Sequence, residues 1–257
     1  IKYGNINYDD RFKKIECIRK HAFLLPFVGK YYDKYRILQI AESRFLPDCP
    51  LERTLMWEIY EEWFEHGKDD ALVEKHPDNL NTREMFVKYC GGLEDCHSWA
   101  FRLFNSAVEK GLGIINSSHD NVHNFAFINF YQLPIPQFGD NSSKGFSLKN
   151  LKSIFSQEKN EQEINILWEK CIKEASITVA GVIDILKPNF VFFTSSASYD
   201  EYKKYCEKNP FGSRFEDMTG FRLYHSSDSR VWGRKISYYD NKTSKEVVIE
   251  MLQKNIE

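Results

Sequence analysis

Four short apolar runs, each stopped by polar residues, constrain the fold of this chain more than any other feature. They are Arg36-Ile37-Leu38-Gln39-Ile40-Ala41, Phe125-Ala126-Phe127-Ile128-Asn129-Phe130, Asn189-Phe190-Val191-Phe192-Phe193-Thr194 and Gly220-Phe221-Arg222-Leu223-Tyr224. Runs of this length suit strands buried on both faces, and such strands belong to parallel sheets covered by helices. The stretches between them read as helices. Residues 51–66 carry Leu55, Met56, Ile59, Tyr60 and Trp63 at helical spacing, and residues 97–110 carry Ala100, Leu103, Phe104, Ala107 and Val108 before Gly111 as a stop. The longest helix is predicted from about Glu161 to Leu186, with Pro188 ending it. The last opens on a capping box, Thr243 with Glu246. Strands alternating with long crossovers predict an α/β fold. The expected form is a three-layer α/β/α sandwich around a mostly parallel four-stranded sheet. It is read as one domain over 1–257, with a long helical insertion at about 46–124 after the first strand. The stretch from Gln137 to Gly145, rich in Asn, Ser and Gly, reads as flexible.

Composition closes off several classes. The chain has 257 residues with 20 Phe, 14 Tyr and 5 Trp, enough aromatic surface for a sizeable core. No apolar run approaches the ~20 residues of a spanning helix, so no membrane partner is expected. Six cysteines without a C-x-x-C pair do not make a disulfide framework and are expected as free thiols. Ile1-Lys2-Tyr3-Gly4 shows no charged-then-apolar leader and lacks Met, which suggests a trimmed start; the cytoplasm is the expected compartment. His119 and His123 stand four apart but lack a Glu at zincin spacing, and Cys17 with His21 reads as packed or solvated. No glycine-rich phosphate loop appears. No metal or other cofactor is expected.

Ligands of open α/β sheets bind beyond the carboxyl ends of the strands. Here those ends carry Glu42-Ser43-Arg44, Asn129 with Gln132, Ser195-Ser196, and His225-Ser226-Ser227. A carboxylate, an amide and an imidazole are thereby offered to one cleft. Each alone is commonly a cap, a turn former or a solvated group; their convergence points to a site.

The order of these motifs resembles the uracil-DNA glycosylase-like superfamily, in particular its branch with a Gly-Glu motif after the first strand. Ile37-Leu38-Gln39-Ile40-Ala41-Glu42-Ser43 resembles that strand and motif. Ile128-Asn129-Phe130-Tyr131-Gln132-Leu133-Pro134-Ile135-Pro136 resembles the base-reading second strand. Ile185-Leu186-Lys187-Pro188-Asn189-Phe190-Val191-Phe192-Phe193 resembles the Leu-Lys-Pro segment, and His225-Ser226-Ser227-Asp228-Ser229-Arg230 resembles the His-Pro-Ser motif. The resemblance implies excision or recognition of a flipped nucleobase in DNA by N-glycosidic hydrolysis. Glu42 would stabilise the sugar cation or orient water, and His225 would hold the departing base anion. Asn129 would read the base, with Ser43 beside it and Phe45 as a stacking ring. Arg44, Ser226, Ser227, Arg230 and Trp232 would contact the nucleic acid, Arg230 or Trp232 as a wedge.

The sequence also departs from the pattern. Ala41 replaces the glycine of Gly-Glu, Ser43-Arg44 stands where Pro-Gly usually follows, and Ser226 replaces a proline. The branch's close cysteine pair is missing, so no iron–sulfur cluster is expected. A relative that binds nucleic acid without catalysis therefore stays open, with Arg44 blocking or pairing with Glu42. So does a Ser/Asn/His esterase built on Ser43, Asn129 and His225, although Arg222 stands where such enzymes carry an Asp.

Net charge is −2, which by itself disfavours a polyanion partner. The average hides unlike regions. Residues 11–36 hold eight Lys/Arg against Glu16 and Asp33, whereas residues 51–80 hold nine Asp/Glu against Arg53, Lys68 and Lys75. Residues 222–235 hold four basic residues against Asp228. If the basic segments met at the strand ends, they would form a face for a phosphate backbone.

Overall fold

The computed structural model describes residues 4–46, 52–66, 80–90, 99–114, 121–136, 145–209, 220–224 and 229–254. Its centre is a mixed sheet of five strands: β1 (Phe27–Val28), β2 (Ile37–Ala41), β4 (Phe125–Asn129), β6 (Phe190–Phe193) and β7 (Gly220–Arg222). They lie in the order β1-β4-β2-β6-β7, all parallel except β1 against β4. The four runs legible in the sequence are the four parallel strands. The fifth, β1, corrects the expected count. Two residues are too few to show a period, and pairing with β4 makes them a strand.

Alternate residues of β1, β2, β4 and β6 enter two different cores, whereas β7 gives only Phe221, to one of them. Leu38, Ile40, Ala126, Ile128, Val191 and Phe193 join one. Ile37, Phe125, Phe127, Phe190, Phe192 and Phe221 join the other. This explains why the first three runs carry little polar alternation, while the fourth alternates buried Phe221 and Leu223 with half-buried Arg222 and Tyr224.

Seven helices of eight or more residues are described: α1 (Arg53–His66), α2 (Thr82–Cys90), α3 (Trp99–Gly111), α4 (Leu148–Phe155), α5 (Glu161–Leu186), α6 (Ser196–Lys208) and α7 (Ser244–Gln253). Helix α5 begins on a reciprocal cap, Glu163 N–H to Asn160 Oδ1 at 3.0 Å and Asn160 N–H to Glu163 Oε2 at 2.9 Å. Its stripe from Ile164 to Leu186 fills the first core. Helix α7 starts on the Thr243–Glu246 box and sends Val247, Val248 and Leu252 into the second. Helix α3 ends at Gly111, where the sequence places the stop, and Gly113 just beyond takes φ +68°. Gly111 is small for another reason: a Cβ there would lie 2.9 Å from Leu252 Cβ, where α3 packs on α7.

The stretch read as an insertion is divided between the two cores. Met56, Trp57, Tyr60 and Trp63 of α1 pack with Leu38 and Ile40. Met85 and Phe86 of α2 and Phe104, Ala107 and Val108 of α3 pack against the opposite face. Beyond β2 and β4 the two chains stay paired, through Phe130 N–H to Ala41 O, Tyr131 N–H to Glu42 O and Ile135 N–H to Arg44 O at 2.7, 2.9 and 2.8 Å. They finish as the small parallel pair β3 (Phe45–Leu46) and β5 (Ile135–Pro136). A hairpin of β8 (Lys235–Ile236) and β9 (Lys242–Thr243) precedes α7.

Candidate functional site

From β2 the chain proceeds to β4 on one side, and from β6 to β7 on the other. The strand order therefore reverses between β2 and β6, the position at which α/β sheets open a crevice at their carboxyl ends. Glu42 follows β2 there, and Ser195 follows β6. Ser195 Oγ donates to Glu42 Oε2 at 2.8 Å. The same hydroxyl accepts from Ser198 N–H at 3.4 Å and caps α6. The other carboxylate oxygen, Oε1, accepts from Phe146 N–H at 2.8 Å. Glu42 is 9% exposed. Its carboxylate is thus fixed by donors from two distant segments, each a charge-assisted bond of about 1.5–3 kcal/mol.

Gly145 and Phe146 form a strap across this carboxylate. Gly145 lies so close to Glu42 Oε1 that a Cβ would overlap it and lie 2.9 Å from Cδ. Phe146 is locked in an aromatic stack, 4.5 Å from Tyr131 and 5.6 Å from Trp168 between ring centres. Gly145 is the last residue of the stretch read as flexible; residues 137–144 lie outside the described residues.

Asn129, the last residue of β4, stands opposite Ala41. It is 1% exposed, and its Nδ2 has no hydrogen-bond partner in the chain. Ser43 Oγ, one residue past Glu42, is likewise buried without a partner. Gln132 reads in the sequence only as a polar strand-end residue. Its Nε2 donates to Asn129 O at 2.7 Å and Phe130 O at 3.1 Å. Those two bonds fix the amide, leaving Oε1 buried and unpartnered. An orphaned buried donor or acceptor costs about 1–3 kcal/mol, and a polar ligand at this strand end would offset that cost for these three groups.

Other expected site residues fall elsewhere. Arg44 is 1% exposed and turns inward. Its guanidinium donates to Leu80 O and, at 2.7 Å, to Thr82 Oγ1, so it ties the strand end to the start of α2. Burial pulls its pKa down to about 9. It neither pairs with Glu42 nor faces a phosphate, which corrects the role expected of it. Trp232 is 3% exposed within the second core and cannot act as an exposed wedge. The Arg230 backbone lies in the short helix Ser229–Trp232. Its side chain, the Phe45 side chain, and His225, Ser226 and Ser227 altogether lie outside the described residues. Arg222, at the position where an esterase would carry its Asp, forms a two-bond pair with Asp200 of α6, both at 2.8 Å.

The basic segment 11–36 does not converge on this site as expected. Arg36 O accepts from Asn189 N–H at 2.8 Å, just ahead of β6, so Arg36 and its neighbours lie at the amino end of the sheet. Among the described residues no three His, Cys, Asp or Glu side chains stand close enough to hold a metal. Cys17 is buried, and His21 Nε2 bonds to Trp63 O at 2.8 Å. None of the described helices is long and apolar enough to cross a membrane. Comparisons with protein-family models, curated proteins and solved structures find no match to this chain.

Proposed function

We propose that this chain is a uracil-DNA glycosylase-like protein, a three-layer α/β/α sandwich that receives a flipped nucleobase at the carboxyl ends of β2 and β4. The observation that carries the reading is the placement of Glu42 at the switch point of the sheet, with Asn129 ending the neighbouring strand opposite Ala41. There the carboxylate is held from two sides, and the amide keeps an orphaned donor. Asn129 Nδ2 and the fixed Gln132 Oε1 supply a donor and an acceptor, the set that the hydrogen-bonding edge of a pyrimidine requires. Glu42 orients a water or stabilises the sugar cation as the glycosidic bond breaks. By resemblance, His225 holds the base anion. Entry of a base needs the Gly145–Phe146 strap to lift from Glu42.

The test incubates the protein with single- and double-stranded oligonucleotides carrying uracil or damaged bases and measures abasic sites. Base release abolished by Glu42→Gln and by Asn129→Ala supports the reading. Release that is unchanged in both variants refutes it. The second reading, a relative that binds without cleaving, is favoured by the occupancy of both Glu42 oxygens; retention of the oligonucleotide with no free base would select it. Ester hydrolysis lost on Ser43→Ala would overturn both.

A further inference from the structure

The basic residues that miss the strand-end site form a face of their own. Tyr31 N–H donates to His123 O at 2.8 Å, just before β4, and the short helix Tyr32–Tyr35 follows. Tyr32 Oη donates to Leu186 O at 3.3 Å, bringing Lys187 alongside. The Tyr8 hydroxyl bonds to Asp33, and the Arg11 guanidinium lies 5.8 Å from the centre of the Tyr8 ring. Arg11, Lys30, Lys34, Arg36 and Lys187 are thus gathered at the amino end of the sheet, all exposed, with Tyr31 42% exposed among them. Lys30 Nζ lies 5.1 Å from the centre of the Tyr31 ring.

Two further facts describe this face. None of the five cations has an ion-pair partner among the described residues, unlike Lys152, Lys170 and Lys204, which pair with Glu161, Glu65 and Glu201, though like some other surface lysines such as Lys149 and Lys173. Of the neighbouring carboxylates, Asp9 and Asp10 pair with Arg83 and Lys13, Asp33 is held by Tyr8, and Asp184 of α5 stands one turn before Lys187, so the balance is positive. Moreover, Arg36 and Lys187 both take left-handed backbone conformations, at φ 51° and 50°. Such positions favour glycine. Two neighbouring chain turns here carry a cation instead, at a conformational cost that places charge on the same surface.

We infer that this amino-end face is a nucleic-acid-binding surface separate from the base-reading site, taking the phosphate backbone of a single strand. Cations interleaved with an exposed ring suit that ligand, because phosphates meet the lysines and arginines while an unpaired base stacks on Tyr31. The five residues of β2 separate it from Glu42 by about 17 Å at roughly 3.3 Å per residue. A single nucleotide cannot touch both, so binding here needs neither a damaged base nor a working Glu42.

The experiment measures anisotropy of a fluorescein-labelled oligothymidylate across a salt series. The variant combines Lys30→Gln, Lys34→Gln, Arg36→Gly and Lys187→Gly; the two glycines relieve φ > 0 and so protect the fold, which circular dichroism checks. Affinity at low salt should drop about tenfold or more. The slope of log K against log salt should fall by up to about 3, near 0.7 for each phosphate no longer neutralised. Lys152→Gln combined with Lys170→Gln, which removes two cations paired elsewhere with Glu161 and Glu65, should bind as the parent does. Equal affinity and slope in the parent and the four-residue variant overturn the inference, as does an equal loss of binding in the Lys152/Lys170 variant. Binding only to phosphatidylserine-containing vesicles, with none to the oligonucleotide, overturns it as well. Failure of base excision leaves it standing, since the probe carries no base to excise.

Discussion

Gly145→Ala tests the carboxylate site without presupposing any activity. The backbone at Gly145 is not among the positive-φ positions, so alanine meets no conformational penalty there. The obstacle is space: the new methyl would overlap Glu42 Oε1 and lie 2.9 Å from Cδ and 3.3 Å from Oε2. Either the strap or the carboxylate must move, and the Phe146 N–H bond to Oε1 is broken in both cases. A bond to a buried carboxylate is worth about 1.5–3 kcal/mol, and displaced packing of Phe146 on Tyr131 and Trp168 adds to it. The expected cost is about 2–4 kcal/mol by urea denaturation. In a Glu42→Ala background the overlap disappears, and the same substitution should cost under about 1 kcal/mol, giving a large coupling in the double-mutant cycle. A single-mutant cost below about 1 kcal/mol, or an equal cost in both backgrounds, would falsify the strap.

Ser195→Ala removes a donor to Glu42 and the cap of α6 together, and should cost about 2–4 kcal/mol, whereas Ser195→Thr keeps both and should cost under about 1 kcal/mol; indistinguishable denaturation curves for the two variants would refute the clamp. Trp232→Ala should destabilise by about 3–5 kcal/mol, because the ring fills the second core; full stability with selective loss of oligonucleotide binding would restore the wedge. Burial pushes the Cys17 thiol up to about 12 and the Cys171 thiol upward as well. The thiolate is thus absent from the fold until pH nears the raised value, so alkylation of both, followed by mass spectrometry, should run at the rate of global unfolding up to about pH 9. Labelling as fast as a free thiol contradicts this. Arg36→Gly should raise stability by roughly 0.5–1 kcal/mol, since it relieves a left-handed non-glycine residue; a clear loss of stability would show that the arginine side chain holds the fold.

Much of the scaffold is legible in the chain alone. Strands β2, β4 and β6 are readable because burial on both faces makes them almost entirely apolar; β7, half-buried at Gly220 and Arg222, shows itself only through Phe221 and Leu223. The limits of α5 and the start of α7 are readable because caps and the proline stop act within a few residues. Glu42 and Asn129 are readable as candidates because a polar residue closing such a strand is exposed to one particular end of the sheet. The two-residue β1 is not, because its strand character comes from β4, about a hundred residues away in sequence.

What surrounds those candidates is decided by tertiary structure. Ser195 and Phe146 meet the Glu42 carboxylate across separations of 153 and 104 residues, and no local pattern announces such a meeting. Ser195 is visible in the sequence as a strand-end polar residue, but not as the partner of Glu42. Arg44 beside Glu42 in sequence suggests an ion pair or a phosphate contact; α2 draws it inward to Leu80 and Thr82 instead. Trp232 and the basic segment 11–36 depart from expectation for the same reason. Sequence periodicity determines which residues must leave water, because that depends on neighbours three or four positions away. Where a charge ends up depends on which distant segment supplies its hydrogen bonds, and only the packed chain determines that.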